Sequence, residues 1–348
     1  MKTSVTLQDV AHLAGVSAKT VSRVINGDVA VTEKTTQRVK KAITALNYSP
    51  NPHARSLRTG RDQAIALVVD SISDPFFAAL AEGVEEVARE AGLFLIVANA
   101  GDSATREREV VDSLLHRSIS GLILVPCLLS YDASTSPFGP RGVPLVVVDR
   151  PLDDLDVDTV LVDNAEASER AVDHLIRVGH RRIGFVGTTI ERYTARERLS
   201  GYRTALDKAN IPFDPALVAV TPYKSPAERA DVEALLSGPD PVTAIFVADA
   251  RRSLDVVRIL HTIERTDIAY VGFDDLVIAE SLNPPLTVVR QDPLEIGRTA
   301  ANVLVARIRG DQRPPERMVL ATTLIVRGSG EIAPPTERTL STTQEKTA

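Results

Sequence analysis

Apolar residues recur at helical spacing through the first fifty positions and as short β-branched runs thereafter. Leu7, Val10, Ala11 and Ala14 fall at i, i+3, i+4 and i+7, one face of a helix. Thr6 stands at its cap, and Asp9 lies in the first turn, where the helix dipole favours a carboxylate. Gly15 ends it, because glycine takes the left-handed C-terminal conformation without steric cost. Ser17 caps a second helix with Val21, Val24 and Ile25 inward, and Asn26-Gly27 closes it. Thr32 caps a third, with Val39, Ile43 and Leu46 inward and Arg38, Lys40 and Lys41 on its other faces. Three short helices, the first two joined by a glycine turn, predict an all-α helix-turn-helix head over residues 1–50. Tyr48-Ser49-Pro50-Asn51-Pro52 then breaks the pattern. Asn51 and Pro52 open a fourth helix running to about Arg58, too short to be stable alone. Residues 51–61 are read as a hinge helix and linker.

From Ala64 the period changes. Strands are expected at Ile65–Val69, Leu93–Ala98, Gly121–Val125, Leu145–Val148, Arg182–Val186, Ala244–Val247 and Ala269–Gly272. Helices are expected between them, among others at Phe77–Ala91, Arg106–Arg117, Ala165–Val178, Ala195–Ala209 and Ser253–Ile263. This alternation predicts an α/β body of parallel sheets covered on both faces, with ligands at the carboxyl ends of the strands. The body is long for one such sheet, so two lobes are expected. The tail, residues 331–348, is Pro, Thr, Ser and charge with one leucine. It lacks the repeated apolar positions of a coiled coil and reads as disordered.

Charge divides the chain at the same place. Residues 1–61 hold ten Lys and Arg against three Asp and Glu, whereas the remainder holds 30 against 43. A positive head on a negative body suits a protein that meets phosphate at one end only. The second helix is then the recognition helix, with Ala18, Lys19 and Ser22 reaching base edges and Arg23 further along. Lys19 can donate to guanine acceptors and Ala18 can touch a thymine methyl. Thr6, Ser17, Thr20, Asn26, Thr32 and Thr35 are short donors placed for phosphate oxygens, and their alternative role is capping. Leu57, flanked by Arg55 and Arg58, resembles the apolar wedge that minor-groove binders push between base steps. Its alternative is a linker leucine packed on the body.

Val5-Thr6-Leu7-Gln8-Asp9-Val10-Ala11, Ala14-Gly15-Val16-Ser17, Thr20 through Gly27, and Ala54-Arg55-Ser56-Leu57-Arg58 resemble the lactose-repressor (LacI/GalR) family. So do Asp74-Pro75-Phe76-Phe77, Val148-Asp149-Arg150-Pro151, Gly179 through Ile183, Ala195 through Arg198, Val271 through Asp275, and Pro285 through Gln291. The resemblance implies a homodimer on a near-palindromic double-stranded operator, a hinge helix that orders on DNA, and Leu57 in the minor groove. It implies a body similar to periplasmic sugar-binding proteins, with a cleft between lobes at 62–161 with 290–321 and 162–289 with 322–330. Asp74, Phe76, Phe77, Asp149, Arg150, Arg198, Asp249, Asp274 and Gln291 all fall after strands or in crossovers and are the candidate effector ligands. Carboxylates, guanidinium groups and an amide suit neighbouring hydroxyls, and aromatic faces suit the apolar side of a sugar. Asp74 and Asp249 also stand where helix caps would, and Phe76 or Phe77 also reads as core. The chain departs from the family after Val247, where Asp249-Ala250-Arg251-Arg252 stands in place of Asn-Asp. Those arginines point either to an acidic or phosphorylated ligand or to a solvated helix start. A neutral sugar is the expected effector.

Two other classes share such a body. A sugar-binding receptor needs an export signal, whereas this N-terminus offers one lysine and then polar capping sequence; the cytoplasm, in association with the nucleoid, is expected. An α/β enzyme would need a motif that is missing here: no dinucleotide turn, P-loop, His-Glu-x-x-His or Gly-x-Ser-x-Gly occurs. The six histidines lack metal spacing, no catalytic residue, metal or cofactor is expected, and no run is long enough to cross a bilayer. Cys127, the single cysteine, sits in an apolar run and reads as a small buried side chain.

Overall fold

The computed structural model describes residues 5–25, 31–48, 63–127, 142–222, 225 and 227–335. They form two compact units, 1–63 and 64–348, each taken by itself below.

The head consists of α1 (Leu7–Ala14), α2 (Ala18–Ile25) and α3 (Glu33–Ala45). Thr6 and Asp9 form a reciprocal capping box, and Gly15 closes α1 at φ 63°. Ser17 caps α2 by accepting from the Thr20 amide at 3.1 Å. Thr32 occupies the cap position of α3, but its side chain makes no capping bond and instead meets the Thr35 hydroxyl at 3.0 Å. That differs from the expected cap. Val10, Ala11, Ala14, Val21, Val39 and Ala42 are buried together, with Val24, Ile25, Ile43 and Leu46 packed on them. Arg38 does not stand free on the surface of α3; it donates to the carbonyls of Ala14 and Gly15 and ties α3 to the end of α1.

The body holds two six-stranded sheets. The first comprises β1 (Ala64–Val69), β2 (Phe94–Asn99), β3 (Gly121–Leu124), β4 (Leu145–Val148), β5 (Asp158–Val162) and β11 (Arg317–Leu320). The second comprises β6 (Ile183–Gly187), β7 (Val218–Val220), β8 (Ala244–Val247), β9 (Ala269–Phe273), β10 (Thr287–Arg290) and β12 (Thr323–Ile325). Their orders are β2-β1-β3-β4-β5-β11 and β7-β6-β8-β9-β10-β12, the same doubly wound plan twice. All pairings are parallel except β10 with β12, which is antiparallel. Around the first sheet lie α4 (Pro75–Glu90), α5 (Ala104–His116) and α10 (Pro293–Ile308). Around the second lie α6 (Asn164–Val178), α7 (Tyr193–Lys208), α8 (Glu228–Leu235) and α9 (Ala250–Thr262). The chain crosses between the sheets at Asp163, at Gln291 and at Ala321-Thr322. Val162 therefore stays with the first sheet and Arg290 with the second, each one residue away from the expected boundary.

Five strands lie outside the seven expected runs: β5, β7, β10, β11 and β12. β5 hides because it opens on polar Asp158, which is buried at 3% exposure and neutralised by Arg307 at 2.7 Å. Residues 331 and 332, expected in a disordered tail, are held by the second lobe. Glu331 binds His174 at 2.6 Å, and the Ile332 carbonyl accepts from the buried His180 ring at 2.8 Å. A carbonyl can only accept, so His180 carries its proton on Nε2 and accepts the Thr243 hydroxyl on Nδ1. Burial lowers its pKa, which fits a neutral structural ring. Cys127 is half-exposed rather than buried, and burial with Asp102 and Glu107 pushes its thiol up to about 11, so it is no nucleophile.

Candidate functional site

In a doubly wound sheet the crevice opens where the strand order reverses, beyond the carboxyl ends of the central strands. Here two such crevices face each other. The turn after β1 carries Asp70 to Asp74, the turn after β3 leads to Cys127, and β4 is followed by Asp149 and Arg150. Opposite them, β6 leads to Arg192, β8 to Asp249 and β9 to Asp274. Asp74, Phe76, Phe77, Asp149, Arg150, Arg198, Asp249, Asp274 and Gln291 line one cavity, together with Arg192, Thr194, Ala250 and Arg251. Including its open mouth it encloses about 450 Å³, of which only about 40 Å³ accepts the centre of a water molecule. That is room for roughly three waters. A sugar ring enters only if side chains move or the lobes part.

The alternative roles of these residues turn out to coexist with cavity lining. Asp74 caps α4 by accepting from the Phe76 amide at 3.0 Å, and Asp249 caps α9 by accepting from the Arg251 amide at 2.9 Å. In each case the capping bond falls on Oδ1. Phe77 is 5% exposed and belongs to the first core, with Phe76 packed against it edge-on. Arg150 is buried between Asp70 at 2.7 Å and Asp149 at 3.1 Å, and donates to the Pro126 carbonyl at 2.9 Å. Burial works against its charge, but the two carboxylates outweigh that and raise its pKa further.

Asp149 and Asp274 hold equivalent places. Each follows the fourth strand of its sheet in the left-handed region, at φ 71° and 72°. Each donates its amide to the neighbouring strand, to Val160 at 3.0 Å and to Val289 at 2.8 Å. This backbone costs about 1 kcal/mol for a non-glycine residue, least for Asp and Asn, and it turns both carboxylates into the cleft.

Arg198 is 5% exposed. It donates to Asn164 at 2.8 Å and to the Ala248 carbonyl at 2.7 Å, and its guanidinium lies 3.5 Å from the Phe273 ring centre. Asp274 accepts from Gln291, the second crossover. Burial pushes the Asp274 carboxyl up to about 6; Arg198 and Gln291 pull it down, while Asp249 and Asp74 push it higher. Folding therefore takes up a proton between pH about 4 and about 6, so this group's contribution to stability falls as pH rises through that interval. The full shift amounts to about 3 kcal/mol, and cleft water reaching the half-buried carboxyl reduces it to about 1–2 kcal/mol. Asp274→Asn is expected to stabilise the ligand-free protein by that amount above the interval and to flatten its pH dependence. Denaturant unfolding on both sides of the interval measures it; an unchanged pH slope would refute it.

Four lining positions, Arg192, Thr194, Ala250 and Arg251, are not among the candidate ligands. Arg192 follows β6 by the same strand-end rule but sits in a stretch with no familiar flanks. It spans the cleft to Asp70 at 3.3 Å and to Asp102, which it draws below the ordinary carboxylate pKa despite partial burial. Arg251 and Arg252 are not a solvated helix start. Arg251 lies in the cavity, and Arg252, 1% exposed, donates to the Thr221 carbonyl inside the second lobe.

On the head, Lys19 and Arg23 are exposed, Ser22 and Thr20 are half-exposed, and Ala18 packs partly against the core. Thr6 and Ser17 are exposed while capping, and Thr32 and Thr35 lie at the start of α3. Asn26 and Leu57 lie outside the described residues. No helix among the described residues is long and apolar enough to cross a membrane.

The comparisons fit both units. Bacterial regulatory proteins of the lacI family match residues 6–51, and the periplasmic binding protein-like domain matches residues 172–330. The HTH-type transcriptional regulator CelR of Thermobifida fusca is 37% identical over 335 residues, spanning 93% of this chain and 98% of its own. The solved transcriptional regulator CelR–cellobiose complex is similar at 35% identity and a TM-score of 0.69, covering 93% of this chain and 99% of that one. The lac repressor dimer bound to operator and the anti-inducer ONPF is similar at 26% identity and a TM-score of 0.82, covering 95% and 100%. With a helix-turn-helix head, a two-lobed body and these relatives, this chain belongs to the lacI family of bacterial regulatory proteins and is a DNA-binding transcriptional regulator.

Proposed function

We propose that this regulator is a homodimeric repressor whose operator affinity is set by a neutral sugar or sugar derivative bound in the interlobe cleft. The observation that carries the reading is the convergence of Asp74, Asp149, Asp249, Asp274, Arg150, Arg198 and Gln291 with two phenylalanines on one cavity between the carboxyl ends of two sheets. Such a set offers paired acceptors and donors to vicinal hydroxyls and an apolar face to a ring. CelR with cellobiose and the lac repressor with ONPF support a sugar-like effector, and the lac repressor dimer on operator supports a paired assembly. β2 supports pairing too: this edge strand leaves Phe94 74% exposed, with Ile96 and Val97 at 36% and 43%, a surface that a second copy would cover.

The test has two steps. A thermal-shift screen of neutral sugars, sugar acids and sugar phosphates identifies the effector by mass action. Binding to a duplex selected from random sequence is then titrated with that compound at fixed salt. The expected result is a neutral sugar that both stabilises the protein and shifts its DNA affinity. A compound that stabilises without moving DNA affinity would overturn the coupling, and a sugar acid or phosphate as the sole hit would overturn the ligand class.

Lys19→Ala is expected to cost about 1–3 kcal/mol on the selected duplex and to relax preference at one or two base pairs. Fluorescence anisotropy on selected and random duplexes at one salt concentration measures it. An equal loss on both would make Lys19 a phosphate contact.

A further inference from the structure

Arg192 lines the cavity, while the two carboxylates that hold it, Asp70 and Asp102, stand behind the lining. They follow β1 and β2, neighbouring strands of the first sheet, whereas Arg192 follows β6 of the second. The guanidinium therefore reaches across the cleft. Asp70 is a divided partner. Its buried Oδ2 lies 2.7 Å from Arg150 Nη2 and 3.3 Å from Arg192 Nη1. Asp102 is different: its side chain is 64% exposed and, among the described residues, pairs with no other arginine. Its Oδ2 meets Arg192 Nη2, and the partial burial that works against its charge is outweighed by Arg192.

We propose that Asp102 is a positioning residue for effector binding: from outside the cavity it holds the Arg192 guanidinium of the opposite lobe in the cavity wall. This deepens, and rests on, the effector reading above. An arginine stem is long and rich in rotamers, so the place of its head depends on fixed partners at the far end. Asp70 does not fix it alone, because Arg150 competes for the same oxygen at shorter distance. The adjoining residue is held by the first lobe as well. Tyr193 accepts from Arg317 Nη2 of β11 at 2.6 Å, so two consecutive residues at the start of α7 are tied to the first sheet. An effector that touches both lobes meets the arrangement these contacts favour, and its apparent affinity scales with the fraction of molecules that hold it. Because Asp102 faces solvent, salt screens its pair with Arg192. The affinity for an uncharged sugar then depends on ionic strength, although the sugar carries no charge. Asp102 also precedes Ser103, the cap of α5, where a carboxylate favours the helix dipole. That role does not involve Arg192 and predicts no coupling to it.

The experiment compares the full chain with Asp102→Asn, which keeps size without charge, with Arg192→Gln, and with the double variant. Cellobiose, D-ribose and D-glucose are titrated by calorimetry at about 50 mM and about 500 mM sodium chloride, between which the screening length shortens severalfold. A sugar that binds the wild type is expected to bind Asp102→Asn about three- to fivefold more weakly at the lower salt. In the Arg192→Gln background the same change is expected to cost nothing further. Raising the salt should bring the wild type down to Asp102→Asn, whose own affinity should stay constant. An equal loss from Asp102→Asn in both backgrounds would overturn the proposal and leave Asp102 a helix-end charge. A wild-type affinity indifferent to salt would overturn it too. Melting temperatures of the four ligand-free proteins give a second cycle that needs no effector, and the two substitutions are expected to be non-additive. Additive shifts would show that the pair does not hold Arg192. If no sugar binds any of the four proteins, the effector reading fails, while this second cycle still decides whether Asp102 fixes Arg192 across the cleft.

Discussion

Arg198→Ala is expected to produce a folded but effector-blind regulator, with unfolding free energy lowered by about 3–5 kcal/mol. The size follows from what the side chain holds. Asn164 and the Ala248 carbonyl lose their donor in a buried setting, and the Phe273 ring loses a cation 3.5 Å from its centre. The functional loss follows from position. Asn164 is the first residue of α6 after the chain has crossed from the first lobe, and Ala248 leads from β8 into the cleft. One guanidinium thus ties the crossing to the cavity wall, so an effector that engages it pulls on one of the segments that join the lobes. Loss of Arg198 also removes the charge that holds the Asp274 carboxyl down. Thermal unfolding gives the stability term, and effector titration of operator binding below the lowered melting temperature gives the response. An unchanged effector concentration at half-response would remove Arg198 from the coupling. Arg198→Lys separates charge from geometry: a single ammonium cannot reach Asn164 and Ala248 from one plane, so most of the response should stay lost.

Much of this was legible along the chain because strand ends in α/β sheets are where side chains become free to meet a ligand. Asp149 and Asp274 stand at corresponding strand ends, and the family resemblance of their flanking residues points to the same positions. Other residues were hidden by their own chemistry. β5 begins with Asp158, whose burial depends on Arg307, about 150 positions further along; only tertiary pairing makes a charged residue a strand residue there. Arg192 and Arg251 are long side chains whose role depends on which carboxylates the first lobe brings opposite them, and sequence spacing does not encode that distance. Thr32 shows the opposite failure. The residue type and place predicted a capping bond, and its hydroxyl instead paired with Thr35.

The same dependence on the crossings leads to a large effect from the smallest side chain. Gly297→Ala is expected to destabilise the body by about 3 kcal/mol and to weaken the effector response, although glycine-to-alanine in a helix interior normally stabilises by up to about 1 kcal/mol. A Cβ at Gly297 of α10 would lie 2.2 Å from the Leu80 carbonyl oxygen of α4, and one at Gly83 of α4 would lie 2.1 Å from the Leu294 carbonyl oxygen of α10. The two helices therefore touch backbone to backbone through reciprocal notches, and backbone cannot rotate away as a side chain can. The second lobe repeats the device, since a Cβ at Gly201 of α7 would meet the Ala165 carbonyl oxygen of α6 at 2.0 Å. In both lobes the notch joins the helix after the first strand to the helix that has just crossed from the other lobe. α4 carries Asp74 at its cap and Phe76 and Phe77 in its first turn, and α10 follows Gln291 directly. A methyl group forced between them moves a cavity wall and a crossing together, so stability and response should fall in step. Chemical denaturation and effector titration on the same preparation test this. A variant with raised melting temperature and normal response would show that the notch is only a convenience of packing and that the crossings are positioned by something else.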